Sequence, residues 1–215
     1  MGLHPLGMEI PAAALSRFWG MLAHYHAQIW NGAELARALA VSESTVRRYL
    51  DLLTGVFMIR QLPPWHENLG KRQVKAPKVY VRDSGLLHAL LGITTPRDLE
   101  LHPKVGASWE GYAVEETLKA LNPDEAYFWA THQGAEIDLL LFKQGQRLGV
   151  ECKRIDAPRL TPSMRIALED LKLDRLIVVY PGERRYPLSD RVEAIPLAEL
   201  ATADDSMQFF KKRRR

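Results

Sequence analysis

The sequence predicts an α/β protein built in two parts, and three observations carry that expectation. Apolar residues recur at helical spacing up to Leu53, strand-like runs dominate from Tyr127 onward, and the charge divides between the halves. Residues 1–104 carry a net charge of +4, residues 105–210 a net of −6 and the closing KKRRR +5, consistent with +3 for the chain. A basic half beside an acidic one suits a nucleic-acid reader joined to a part that needs carboxylates; a net charge of this size is equally ordinary solvated surface. At 215 residues, 47% of them hydrophobic, the chain is long enough for two small cores. A single cysteine, Cys152, excludes an internal disulfide and a multi-cysteine zinc site. No apolar run is long enough to span a bilayer, and the opening MGLHPLGMEI lacks the basic-then-apolar layout of a secretory signal. The expectation is a cytoplasmic protein with no membrane partner.

The elements follow in order. Leu15, Phe18, Trp19, Leu22, Tyr25 and Ile29 predict one amphipathic helix over Pro11 to Trp30, stopped by Asn31-Gly32. ELARALA (34–40) predicts a short second helix. Ser42 is a good N-cap for a third, over Ser44 to Leu53, whose Val46, Tyr49, Leu50 and Leu53 face inward and which Gly55 ends. A strand in FMIRQL stops at Pro63-Pro64, a basic segment covers Trp65 to Lys78, and Val79-Tyr80-Val81 is a second strand. This is the layout of a winged helix-turn-helix over residues 1–104. Its third helix offers Glu43, Thr45, Arg47 and Arg48 outward, and the wing segment holds Lys71, Arg72, Lys75 and Lys78 against one acid, Glu67. Arginine takes guanine edges or phosphates, threonine either bases or backbone, and a basic wing follows the phosphates, so DNA is the expected partner. The alternative is a protein-docking module whose arginines are merely solvated.

The second part, residues 105–205, predicts a helix capped by Ser108 and running to Leu121, then strands at Tyr127 to Thr131, Ile137 to Phe142 and Leu148 to Arg154. A helix over Thr161 to Leu173, a buried strand RLIVVY (175–180), a last strand near Val192 to Ile195 and a short helix near Leu197 to Ala201 follow. The order is αβββαβ. Residues 206–215 are expected as a basic tail.

Chemistry concentrates in AEIDLLLFKQGQRLGVECKR (135–154). With a turn on Gln144-Gly145, positions whose numbers sum to 289 stand opposite each other, which sets Asp138 across from Glu151 with Cβ atoms about 5 Å apart. Lys153, two residues beyond Glu151, shares its face, and Cys152 points to the other. Like charges in opposition destabilise a ladder unless a cation lies between them; Mg²⁺ or Mn²⁺, with hard oxygen ligands, suits the pair, and an adjacent lysine can orient or deprotonate a water. The alternative is an ion pair at a sheet edge, Lys153 neutralising Glu151. His24 and His26, two apart on a helix, lie on different faces and make no metal pair.

Asp138 followed by Glu151-Cys152-Lys153 in an αβββαβ order resembles the PD-(D/E)xK nuclease superfamily, the restriction-endonuclease-like fold. That resemblance implies Asp138 and Glu151 as Mg²⁺ ligands, Lys153 assisting the water, and a helical acid as a further ligand, for which Glu110 in SWEGYAVEE is the natural match and Glu115 and Glu116 are lesser ones. The usual proline before the first acid is Ile137 here. The phrases NGAELARALAVSESTVRRYLDLL, KAPKVYVRDSGLL, GASWEGYAVEETL and THQGAEIDLLL with GVECK resemble the C-terminal region, of uncharacterised function, of a large family of prokaryotic AAA-type ATPases. This implies a winged helix plus a nuclease-like domain, a partner ATPase, and by analogy a homodimer. The chain has no G-x-x-x-x-G-K-[ST], so no P-loop ATP site is expected in it. The expected activity is divalent-metal-dependent DNA phosphodiester cleavage, and the alternative a non-catalytic DNA-binding or regulatory module working with such an ATPase.

Overall fold

Leu15, Phe18 and Leu22 form the buried stripe of α1 (Ala12–His24), which opens a computed structural model describing residues 11–67 and 73–210. The helix stops six residues short of the expected Trp30. Ala27 adopts φ 62°, its N–H donates to the Val79 carbonyl, and Gln28–Ile29 becomes a short strand, β1. Tertiary pairing therefore overrides the helical spacing that continues through this stretch. Asn31 starts the next helix rather than ending the first: its side chain accepts the Glu34 N–H at 3.3 Å and caps α2 (Gly32–Leu39). Ala40 at φ 55° closes α2, and Ser42 caps α3 (Glu43–Gly55) by accepting the Thr45 N–H at 3.1 Å. Strands β2 (Ile59–Leu62) and β3 (Lys78–Val81) complete a three-stranded sheet of order β1-β3-β2. Asp83 caps α4 (Ser84–Leu90). Thr95 and Asp98 form a reciprocal capping box that starts α5 (Pro96–Leu101).

Helix α6 (Val105–Leu121) begins three residues ahead of the expected cap, so Ser108 lies inside it, buried, with its hydroxyl 2.7 Å from His88 Nε2. Strands β4 (Glu125–Ala130), β5 (Glu136–Lys143) and β6 (Gln146–Cys152) follow, then α7 (Pro162–Asp170) and β7 (Arg175–Tyr180). The order helix, three strands, helix, strand is the expected one. Beyond it come an unexpected edge strand β8 (Tyr186–Ser189), then β9 (Val192–Pro196), α8 (Leu197–Ala201) and a 3₁₀ turn, Ser206–Phe209. The six strands form one mixed sheet, β4-β5-β6-β7-β9-β8, antiparallel across β4, β5 and β6 and parallel across β6, β7 and β9. Leu140, Leu176 and Val178 pack against Met164, Ala167 and Leu168 of α7. Each such aliphatic side chain contributes about 1.5–3 kcal/mol by leaving water. With helices and mixed sheet, the protein is α/β.

The chain divides into two compact units: Met1–Gln61 with Lys78–Gly111, and Leu62–Pro77 with Tyr112–Arg215. The expected wing thus belongs to the second unit. Two described stretches of it, 63–67 and 73–74, form a strap along β4: Phe128 N–H donates to Pro63 O at 3.0 Å, Trp65 N–H to Phe128 O at 2.7 Å and Val74 N–H to Ala130 O at 3.1 Å. Trp65 lies against Tyr127 and Phe142, its ring centroid 5.0 and 4.8 Å from theirs, and Gln73 accepts the buried Trp129 indole N–H at 2.9 Å. The expected basic tail also begins later than residue 206, because Phe209 and Phe210 are fully buried; residues 211–215 lie outside the described residues.

Candidate functional site

The β5–β6 hairpin forms in the expected register: Leu139↔Val150, Leu140↔Gly149, Leu141↔Leu148, Phe142↔Arg147 and Lys143↔Gln146. Gln144 and Gly145 turn it with φ of 50° and 76°, the two left-handed residues of a tight hairpin. Asp138 and Glu151 therefore occupy the next rung. Both are almost wholly shielded from water, 5% and 4% exposed. One feature of the rung is not readable from the alternation: the β4–β5 register shifts between Tyr127↔Leu140 and Trp129↔Ile137, so Phe128 alone faces Asp138 and Leu139. This bulge inserts one residue and re-aims the chain at the acid. Asp138 Oδ2 accepts the Cys152 N–H at 2.9 Å, which fastens the carboxylate across to β6 beside Glu151.

Lys153 Nζ lies 2.6 Å from Glu151 Oε1, while Glu151 Oε2 is buried with no hydrogen-bond partner. Burial, and after it the negative charge of Asp138, pushes the Glu151 carboxyl up to about 8, against the pull of Lys153. Burial pulls the Lys153 ammonium down, but the charge and hydrogen bond of Glu151 more than reverse that, so it titrates above an ordinary lysine. A third acid acts on both: Glu136, whose charge raises Glu151 and Lys153 alike and whose main-chain N–H and C=O are both held by the Ser163 hydroxyl of α7. Sequence reasoning passed over Glu136 although it stands in the same AEID phrase, two residues before Asp138.

Glu110 goes elsewhere. Its Oε1 accepts from Lys78 Nζ at 3.1 Å and from the Tyr80 hydroxyl at 2.8 Å, all within the first unit. Among the described residues no group of three or more His, Cys, Asp or Glu side chains is arranged to hold a metal ion, so the expected set of Glu110, Asp138 and Glu151 is not assembled. Asp138 and Glu151 are the remaining pair of hard-oxygen donors, and Glu151 Oε2 is buried without a hydrogen-bond partner. Glu115 and Glu116 also lie on α6; Glu116 pairs with Lys119 at 3.9 Å.

The expected DNA contacts separate as well. Arg47 and Arg48 are exposed on α3, with Arg47 beside Asp51 at 3.4 Å, and Thr45 shares its hydroxyl with Ser42 at 2.8 Å. Lys75 is exposed on the strap. Lys78 is a correction: only 6% exposed and committed to Glu110, it offers no charge to a phosphate, because burial makes it a core ion pair rather than part of a basic wing. Lys71 and Arg72 lie outside the described residues. No helix among the described residues is long and apolar enough to cross a membrane.

Comparison with known proteins divides the chain at nearly the same place. Residues 4–97 match a family described as Domain of unknown function (DUF8612), and residues 105–200 match another, Domain of unknown function (DUF4143). Two proteins curated as uncharacterized, Mb2031c of Mycobacterium bovis and Rv2008c of Mycobacterium tuberculosis, are each 53% identical over 200 residues. That is 93% of this chain but 45% of theirs, so the chain spans about half the length of the curated relatives it matches. The crystal structure of protein VC1899 from Vibrio cholerae aligns over 90% of this chain and 55% of its own, at 13% identity and a TM-score of 0.30, a slight likeness.

Proposed function

We propose that this is a DNA-binding protein whose second unit hydrolyses phosphodiester bonds with a divalent cation, Mg²⁺ or Mn²⁺, held by Asp138 and Glu151. The observation that carries the reading is the buried, unpartnered Glu151 Oε2 beside a second buried carboxylate. Burying two acids on one rung is costly unless a positive charge joins them. Such an ion supplies Lewis acidity toward a phosphoryl oxygen. The chain's own residues do the rest. Asp138, fixed by the Cys152 N–H, and Glu151 orient the ion's ligand oxygens. Lys153, 2.6 Å from Glu151, would orient or deprotonate the attacking water or neutralise charge on the phosphate. On the first unit, Thr45, Arg47 and Arg48 of α3 bind the duplex, reading α2 and α3 as a helix-turn-helix.

A second reading has its own observation. Lys153 already neutralises Glu151 at 2.6 Å, and among the described residues no third His, Cys, Asp or Glu joins the pair in a group arranged to hold a metal. A non-catalytic module that binds DNA, or regulates an AAA-type ATPase borne by a longer relative or a separate partner, fits those two facts. Incubation of plasmid, linear duplex and single-stranded DNA with Mg²⁺ or Mn²⁺ separates the readings. The nuclease reading expects cleavage by the wild type and loss of it, with the fold retained, in Asp138→Ala; equal cleavage by both proteins rejects the site.

A further inference from the structure

The second unit holds a concavity past the carboxyl ends of β6 and β7. Past Cys152 the Lys153 N–H donates to Val179 O at 2.9 Å, and the chain then leaves the sheet through residues 154–160. The neighbouring parallel strand β7 ends at Tyr180 and leaves the same edge toward β8. Between these two departing segments lies a cleft of about 690 Å³. That volume lies within the range of small-molecule sites, roughly 300–1,000 Å³. It opens at the carboxyl ends of parallel strands, where α/β sheets characteristically bind ligands.

Its walls are fixed and its rim is charged. The Tyr186 hydroxyl donates to Pro158 O at 3.1 Å and the Tyr180 hydroxyl to Arg184 O, so both phenols spend their hydroxyls tying one wall to the next. The ring of half-buried Tyr186, packed edge-on against Tyr180 with centroids 6.0 Å apart, lies beside the apolar surfaces of Pro187 and Leu188. Arg159 and Arg184 stand exposed on the rim, and neither side chain makes a hydrogen bond or ion pair among the described residues. Asp156 and Glu183 alternate with them. A flat apolar body with amino groups at its edge and an anionic attachment matches this lining: aromatic and proline faces for stacking, carboxylates to accept from amino groups, guanidiniums for phosphate. A continuous duplex presents no free base to such a cleft.

We infer that the cleft seats one unpaired nucleotide of a single-stranded or locally opened nucleic acid, its base on Tyr186 and Pro187 and its phosphate on Arg159 and Arg184. The inference rests on the phosphodiesterase reading for its link to chemistry, and it adds a substrate class: strands with unpaired nucleotides at the cut.

The test measures binding of a labelled single-stranded oligonucleotide and of the matching duplex over a range of salt, for wild type, Arg159→Ala and Arg184→Ala, with Mn²⁺ titration of the same proteins. Both arginines are exposed and unpartnered, so the variants keep the fold. Expected is a fall of about 0.7 in the salt slope of single-strand binding for each arginine removed, with duplex binding unchanged. Single-strand affinity and slope equal to wild type in both variants overturn the inference, and if Mn²⁺ still binds, the metal reading survives that failure. Arginine-dependent single-strand binding without any Mn²⁺ uptake keeps the nucleotide cleft and rejects the phosphodiesterase reading instead.

Discussion

Glu110 and Glu151 are both acids in an apolar setting, and their partners decide their roles. Glu110 faces Lys78 and Tyr80 in a part-buried ion pair, so Glu110→Ala removes a carboxylate from the buried Lys78 ammonium at a cost of about 1–3 kcal/mol. Chemical denaturation should show that loss while Mn²⁺ uptake stays at the wild-type level; loss of uptake would return Glu110 to the metal set. His26 is a third buried titratable group. Its Nδ1 accepts the Val81 N–H at 3.0 Å, which leaves the proton on Nε2 for Ala107 O at 3.1 Å. Burial lowers its pKa from 6.5 to about 4, helped by the charges of Lys104 and His88 and opposed by the Ala107 carbonyl. Between those values the unfolded chain binds the extra proton and the folded one does not. The stability tied to His26 is therefore whole above pH 6.5 and lost as pH falls through about 4, to the order of 3 kcal/mol. Denaturation midpoints across that range should show the decline, and His26→Leu should flatten it; an unchanged slope would assign the acid sensitivity to another group.

At the scale of elements, the hairpin was legible because its information is local. Alternating apolar residues, a Gln144-Gly145 turn and a period of two fix the register without knowledge of any partner. The helices after Ser42 and Thr161 were legible for the same reason, each carrying its own cap. What escaped depends on residues far away in sequence. The end of α1 is set by β3, and the bulge at Asp138 by Phe128. The strap is set by Trp129 and Phe142, and α8 and the final turn put Phe209 and Phe210, which resembled the start of a solvated tail, into the core. The site itself was half legible: Asp138, Glu151 and Lys153 lie in one hairpin, whereas Glu110 had been assigned by analogy and its partner Lys78 had been counted as a surface charge. Gln73 gives the strap a measurable weight. Its amide oxygen accepts both the Trp129 indole N–H and the Glu67 N–H, so Gln73→Leu leaves a fully buried indole N–H unpaired at a cost of about 1–3 kcal/mol. A smaller loss by denaturation would mean the strap is only loosely held to β4.

For the whole molecule, the two units answer different physical questions. The first presents Arg47 and Arg48 on a capped helix above a core built from Phe18, Leu22, Val46 and Leu50, an arrangement that suits a salt-sensitive, positioning contact with phosphates. The second buries acids where a folded protein ordinarily buries none, and that expense is the feature demanding explanation. The regional charge read from the sequence agrees with this division, although Lys78 shows that part of the first half's basicity is internal. The most direct measurement is calorimetric titration of Mn²⁺ into the intact chain at a pH near the Glu151 pKa of about 8, in parallel with Glu151→Gln. The account predicts one ion bound by the wild type, with a proton released as it enters, and none by the variant. A wild type that takes up no ion, or a variant that binds it equally well, would contradict it and leave the carboxylates as an internal ion pair with Lys153.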